Sequence, residues 1–455
     1  QEDRPVIEII TVDTPSLGDR SYLATDGDVA VVIDPQRDVD RVLDRARERG
    51  VRITHVLETH VHNDYVTGGL ALARATGAAY VVNADDEVAF ERTPVRDGDV
   101  IETGAMRLRV LHTPGHTFTH LAYVLEEAGG GVVGVFTGGS LLNGSTGRPD
   151  LLGEEHAEAL ARHQWASAHR IADEVPGAAK VLPTHGFGSF CAATQAAGRA
   201  STVAGEKRSN PALTVDEDRY VRELLAGLVA HPAYYAHMGP RNAAGPDGPD
   251  LSPPAVADPA ELRRRIDAGE WVVDLRDRTA FAAGHLGGSL NVGLEGSFAT
   301  WLGWLVPWGT PVTLLASTAA EIAAAQRELV RIGIDRPAAM ATGAPRDWTG
   351  GEVPASFPRA TFADLAGQAG GPVVLDVRGP DERAAGRLEG SLGIPLHELA
   401  DRLDEIPAGR PVWVHCAGGY RAAIAAAVLA RAGFPVVAID DSYANAGATG
   451  LPVAA

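Results

Sequence analysis

The chain has 455 residues, of which 45% are apolar and 22% charged, and its 59 acidic and 40 basic side chains give a net charge of −19. That length exceeds one ordinary hydrophobic core, so two to four globular domains are expected, and the acidity argues against nucleic acid or an anionic membrane as partner. Two cysteines, Cys191 and Cys416, exclude a disulfide framework, and no apolar run approaches the roughly 18 residues of a membrane-spanning helix.

The opening Gln1-Glu2-Asp3-Arg4 has neither a basic start nor an apolar stretch. No signal peptide is expected, and a reducing cytoplasm is the expected compartment. Val29 to Ile33 is a continuous apolar run that reads as a buried strand ending at Asp34. Val39 to Arg49 reads as a helix with its charges on one side. Ile53 to Leu57 is a second apolar run, and Thr59-His60-Val61-His62-Asn63-Asp64-Tyr65 follows it at once. A tight loop after a strand would point these imidazoles and this carboxylate at one spot, as a borderline transition metal requires. His116, in Thr113-Pro114-Gly115-His116-Thr117, and His185, in Pro183-Thr184-His185-Gly186, also follow apolar stretches and sit at Pro/Gly turns. Gly129-Gly130-Gly131 reads as a hairpin tip, and His156 to Ala172 and Asp216 to Leu228 as helices.

The H-x-H-x-D motif, the Pro-Gly-His turn and the later Thr-His-Gly together resemble the metallo-β-lactamase fold over roughly residues 5 to 240. The resemblance implies an αββα sandwich with metal at its mouth. Two positions depart from that family's pattern. Tyr65 stands where a further histidine is usual, and Gly139, in Phe136-Thr137-Gly138-Gly139-Ser140, stands where a metal-bridging aspartate is usual. The expectation is at most one ion, iron or zinc, held by His60, His62 and His116 with an open position. Asp64, His185 and Tyr65 are then expected to orient the ligands or face the substrate. An aspartate returned at position 139 is expected to raise metal occupancy.

Residues 242 to 254, rich in Gly, Pro and Asp, read as a linker. Beyond it the chain repeats itself: Val272-Val273-Asp274-Leu275-Arg276 returns 102 residues later as Val374-Leu375-Asp376-Val377-Arg378, and Gly284 to Ser289 returns as Gly386 to Ser391 with the same offset. Each repeat alternates β-runs with helical runs, so a parallel-sheet α/β fold is expected. In the second repeat, Val412-Trp413-Val414-His415 delivers Cys416 to the loop Ala417-Gly418-Gly419-Tyr420-Arg421, ahead of an Ala-rich helix from Ala422 to Arg431. Backbone N–H groups and the helix dipole stabilise a thiolate, or a persulfide anion, at such a place, and Arg421 adds a cation. The Cys-x4-Arg spacing, the D-x-R and the G-x-L-x-G-S elements resemble a rhodanese, a sulfurtransferase. In the first repeat Ala316 falls opposite Cys416 and Glu321 opposite Arg421, so that copy resembles an inactive rhodanese-like domain. Trp301, Trp304 and Trp308 fall there at helical spacing and read as an interface or core stripe.

The expected division is therefore 1–245, metallo-β-lactamase-like; 256–345, inactive rhodanese-like; and 356–455, active rhodanese-like. Gly147-Arg148-Pro149-Asp150-Leu151 and the segment Gly205 to Leu213 narrow the resemblance to the persulfide dioxygenase family, including its rhodanese fusions. That resemblance implies a sulfur-metabolism enzyme that oxidises a persulfide at one iron and carries sulfane sulfur on Cys416. Its family's ligands map to His60, His116 and position 139. The implied partners are a low-molecular-weight thiol persulfide or thiosulfate, and a homodimer is among the assemblies open to it. Two other readings stand beside it: a metal-dependent thioester hydrolase resembling glyoxalase II, and a sulfurtransferase whose amino-terminal half only binds or dimerises.

Overall fold

The computed structural model describes residues 6–195 and 198–454. The chain divides into two compact units. One reaches as far as Asp250 and includes Leu329–Ile334; the other holds Leu251–Glu328 and the chain from Asp335 on.

The first unit contains two six-stranded sheets. In one, strands Glu8–Thr14, Asp19–Thr25 and Val29–Ile33 run antiparallel, and Arg52–Leu57, Ala79–Asn83 and Thr93–Val95 add on in parallel. The other runs in space from Ser201–Thr202 through Lys180–Pro183, Val132–Gly138, Leu121–Glu127 and Met106–His112 to Val100–Thr103. Side chains alternate faces along a strand, and the layering follows from that period. Tyr22, Val31, Ile33, Leu57 and Val81 pack against Leu108, Val110, Tyr123 and Phe136 of the second sheet. Their neighbours Leu23, Ala30, Val32, Val56 and Val82 face outward onto Val42 and Ala46 of helix Asp40–Arg49 and onto Leu70 and Leu72 of helix Gly69–Thr76. On the far side, Leu111, Ala122, Val124 and Val135 meet Ala161, Ala168 and Ile171 of helix Glu154–Glu174 and Tyr220 and Leu224 of helix Glu217–Ala226. The result is a four-layer αββα sandwich.

Two sequence readings change here. Helix Tyr235–Ala244 extends into the segment read as linker, and Asn242 on it is buried. Its Nδ2 donates to the carbonyls of His62 and Tyr65, both at 2.8 Å, and its Oδ1 accepts from Thr67 N. The Asn–Ala–Ala–Gly–Pro composition hid a helix whose Pro240 lies within it. Trp308 lies past the end of helix Phe298–Leu305 and is exposed, so only Trp301 and Trp304 share the helix, their rings stacked 5.1 Å apart.

The second unit holds two parallel sheets. Their spatial orders are Leu290–Asn291, Trp271–Asp274, Val312–Ala316, Ala339–Thr342, and Arg359–Ala360, Val436–Ile439, Val412–His415, Val373–Asp376, Leu392–Gly393. Both pair in one register: Asp274 lies opposite Leu315, so Ala316 comes next, and Asp376 lies opposite His415, so Cys416 comes next. Each D-x-R forms a buried ion pair that also closes the following loop. Arg276 Nη2 donates to Asp274 at 2.6 Å and to the Gly284 carbonyl at 2.8 Å; Arg378 Nη2 donates to Asp376 at 2.8 Å and to the Gly386 carbonyl at 2.7 Å. Asp376 has a second cation, Arg383 Nη1, at 2.8 Å. Among the described residues no helix is long and apolar enough to cross a membrane.

Removing one partner of a buried pair leaves an uncompensated charge, which costs more than the pair itself contributes. Arg276→Ala is therefore expected to destabilise by ~3 kcal/mol, because it strands Asp274. Arg378→Ala should cost less, because Arg383 still faces Asp376. Urea unfolding of the full chain checks the order, and equal losses would show that Arg383 does not compensate.

Candidate metal centre and cysteine loop

Parallel pairing of Val29–Ile33 with Arg52–Leu57 places Asp34 beside Thr59. The Asp34 carboxylate accepts Thr59 N and Thr59 Oγ1, each at 2.7 Å, and also the Thr184 hydroxyl. It thereby ties the loop bearing His60 to the loop bearing His185. Burial would raise this carboxyl, but His62, Thr184 and Thr59 outweigh burial and hold its pKa down at about 2.

His60, His116 and His185 converge, with one ring nitrogen from each within 4.8 Å of the others. In each ring the other nitrogen is pinned. Thr59 Oγ1 gives its proton to Asp34, so it accepts His60 Nδ1–H at 2.8 Å. His116 Nδ1–H donates to the Arg148 carbonyl at 2.8 Å, and His185 Nδ1–H to Asp19 Oδ1 at 2.9 Å. Such anchoring fixes the tautomer and presents Nε2 toward the common centre, which is how metal-bound histidines are held. His116 Nε2 is buried without a hydrogen-bond partner. Burial pushes the pKa of His60 well down and that of His116 to about 3, so both are neutral and carry the lone pairs a metal needs. Burial also works against charge on His185, yet Asp64 and Asp19 hold its pKa up at about 9. Its Nε2 lies 3.3 Å from His60 Nε2, and the proton between them is what a cation would replace. The donor set fits one divalent ion.

His62, expected as the third ligand, packs its ring 4.1 Å from that of His60. Its Nε2 is 3.3 Å from Asp34 Oδ1, 3.2 Å from Glu58 Oε2 and 3.0 Å from the Tyr65 hydroxyl. The two carboxylates overcome burial and hold its pKa well up. Its Nδ1 is buried without a hydrogen-bond partner, and with Asp64 and His185 it forms a second possible donor set. Asp64 lies against His185 Nδ1 at 3.2 Å, and Tyr65 is fully buried under the His62 ring, 4.3 Å away.

Gly139 is not an open seat for a carboxylate. A Cβ built there would lie 2.4 Å from His116 Cδ2 and 2.7 Å from His116 Cγ. The imidazole fills the space that a side chain at 139 would take, which reverses the expectation for an aspartate there. Sequence reading missed Asp19, Asp34, Glu58 and His120 as members of this centre. Asp34 alone had a signal, as the polar residue ending an apolar run. His120 Nε2 accepts Gly139 N at 2.9 Å and holds that turn.

In the second unit, buried strand Val412–His415 hands Cys416 to a loop that enters helix Tyr420–Arg431. Gly419 N–H donates to Cys416 Sγ at 3.1 Å. Gly419 has φ +98°, a left-handed conformation suited to glycine. Arg421 makes a two-pronged pair with Glu382, at 2.6 and 2.7 Å, so its charge is neutralised beside the loop. In the first repeat Glu321 accepts Thr318 N at 2.8 Å, a protein carboxylate occupying the corresponding helix start.

Residues 19–185 match the Metallo-beta-lactamase superfamily, and residues 258–349 and 360–447 each match the Rhodanese-like domain. The chain is similar to Persulfide dioxygenase ETHE1, mitochondrial, of Homo sapiens, at 29% identity over 195 residues, 42% of this chain and 70% of that one. It is also similar to Hydroxyacylglutathione hydrolase of Methylococcus capsulatus, at 33% identity over 148 residues, 32% of this chain and 53% of that one. A crystal structure of a metallo-beta-lactamase from Staphylococcus aureus subsp. aureus COL aligns with a TM-score of 0.66 at 28% identity, covering 74% of this chain and 99% of that one. The chain is thus built from a metallo-β-lactamase superfamily domain and, carboxyl-terminal to it, two rhodanese-like domains.

Proposed function

We propose that this enzyme of sulfur metabolism carries sulfane sulfur on Cys416 and oxidises a low-molecular-weight persulfide at the histidine centre. We assign the domains to 1–245, 256–345 and 356–455, with the middle one silent because Ala316 offers no nucleophile. The observation that carries the transfer reading is the Cys416 thiol at a strand end, accepting the Gly419 N–H at the start of a helix. As a thiolate, Cys416 attacks the outer sulfur of thiosulfate. A new S–S bond forms, the donor's S–S bond breaks, and sulfite leaves with the electron pair. The loop N–H and the helix start stabilise first the thiolate and then the persulfide anion. An acceptor such as cyanide takes the outer sulfur, and Cys416 departs as thiolate.

At the other site, His60, His116 and His185 would hold one iron or zinc ion. When bound, the ion supplies a Lewis-acidic centre, redox-active if it is iron. Asp19 and Asp64 keep His185 in place. Persulfide, dioxygen and water would give thiol and sulfite, the sulfur's electrons passing to dioxygen. Similarity to a persulfide dioxygenase and the adjoining rhodanese-like domains support this. Similarity to a hydroxyacylglutathione hydrolase supports thioester hydrolysis as the second reading. Oxygen uptake with a persulfide, run beside thioester hydrolysis on the same metal-reconstituted protein, separates the two.

Cys416→Ser is expected to abolish sulfur transfer from thiosulfate to cyanide, and wild-type transfer by that variant would remove Cys416 from the mechanism. Arg421→Ala leaves the Glu382 carboxylate unpaired near the thiol, so kcat/KM for anionic thiosulfate should fall about tenfold, or ~1.4 kcal/mol.

After reconstitution with ferrous iron or zinc, metal analysis should find at most one ion per chain. His116→Ala and His185→Ala should lose it, and His62→Ala should keep it. Loss in the His62 variant with retention in the His185 variant would restore the set read from sequence. Gly139→Asp should lower occupancy, because it displaces the His116 ring.

A further inference from the structure

The cysteine loop is covered in part by the repeat that has no cysteine. Tyr420, the residue after the loop's last glycine, donates its hydroxyl to the Gly293 carbonyl at 2.7 Å. Its ring lies 2.4 Å from where a Cβ at Gly296 would sit. Arg278, the first residue of helix Arg278–Ala283, also reaches the loop, beside Asp440 Oδ1, which lies 2.3 Å from the Cβ position of Gly419. Arg278 Nε is 3.2 Å from the Cβ position of Gly419, the residue whose N–H donates to Cys416 Sγ.

The second repeat's own cations are already engaged. Arg421 gives both terminal nitrogens to Glu382, and Arg378 and Arg383 share Asp376. Arg278 is held less completely. Its Nε donates to Asp440 Oδ1 at 2.8 Å, but Arg359 takes Asp440 Oδ2 at 2.5 Å, so one carboxylate serves two guanidiniums. Glu295 meets Arg278 Nη1 only at 3.7 Å. The Arg278 side chain is 29% exposed, within reach of a solute. Asp440 foremost, with the Cys416 sulfur among the lesser causes, holds its pKa up.

We propose that Arg278, contributed by the silent repeat, is a substrate-binding residue of the Cys416 site and presents its guanidinium to an anionic sulfur donor such as thiosulfate. The proposal rests on Cys416 as the sulfur carrier. The silent repeat then has a part in the chemistry. The second repeat supplies the nucleophile and its N–H, and the first supplies the charge that meets the anion. Guanidinium suits such oxyanions because its planar fork donates two parallel hydrogen bonds.

Thiosulfate-to-cyanide transfer by the full chain tests it. Arg278→Ala should raise KM for thiosulfate about tenfold with little change in kcat, Arg278→Lys should recover only part of the loss because an ammonium has no fork, and Asp440→Asn, which removes the carboxylate and keeps the cation, should not raise KM. Equal KM increases in the Arg278→Ala and Asp440→Asn variants would make Arg278 only a bridge between the repeats. A second readout needs no sulfur transfer. The rate of Cys416 alkylation by anionic iodoacetate relative to neutral iodoacetamide, followed by mass spectrometry of the Cys416 peptide, should fall several-fold in Arg278→Ala. An unchanged ratio would overturn the proposal. Wild-type transfer by Cys416→Ser would instead overturn the carrier reading, and the alkylation ratio would still judge Arg278.

Discussion

One buried carboxylate organises the histidine centre. Asp34 adopts φ +50°, a left-handed conformation that costs a non-glycine residue ~1 kcal/mol or more, and its neighbours hold it there. Its hydrogen bonds fix Thr59, and Thr59 in turn fixes the tautomer of His60. Its bond from Thr184 sets the loop that ends in His185. Its charge, with that of Glu58, holds the pKa of His62 well up. The donor geometry therefore depends on a residue that need not touch the ion.

Strands and loops of the sandwich were legible because period-two burial and Pro/Gly turns are local signals. Val29–Ile33 matches the apolar run residue for residue, and Arg52–Leu57 extends its run by one residue. The histidine partners were legible only as a cluster. That His185 comes within reach of His60 and His116 needed the fold, because 125 residues separate it from His60. Helix Tyr235–Ala244 escaped for a different reason. Its composition is that of a linker, and its helical state is tied down by Asn242 bonding to the carbonyls of His62 and Tyr65. Gly139 was read as standing where a carboxylate is usual, and the ring that fills its space lies 23 residues upstream and leaves no local trace.

The two rhodanese-like repeats show how one frame accepts opposite chemistry. Strand register, the Asp–Arg pair and the loop it closes are the same in both. What differs is the residue at the end of one central strand and the occupant of the helix start that follows. In one copy a thiol accepts a backbone N–H there; in the other a protein carboxylate does. Buried ion pairs of this kind specify geometry more than they stabilise, so the frame persists whether or not its loop carries chemistry.

The histidine centre is also closed: His60, His116 and His185 are 1%, 0% and 0% exposed. An ion seated among them would meet bulk water only when the covering chain opens. Its lifetime would then follow the free energy of that local opening as much as the number of its ligands. Loading such a centre in the folded protein then takes the same local opening, so its filling is slow where the covering chain is stable.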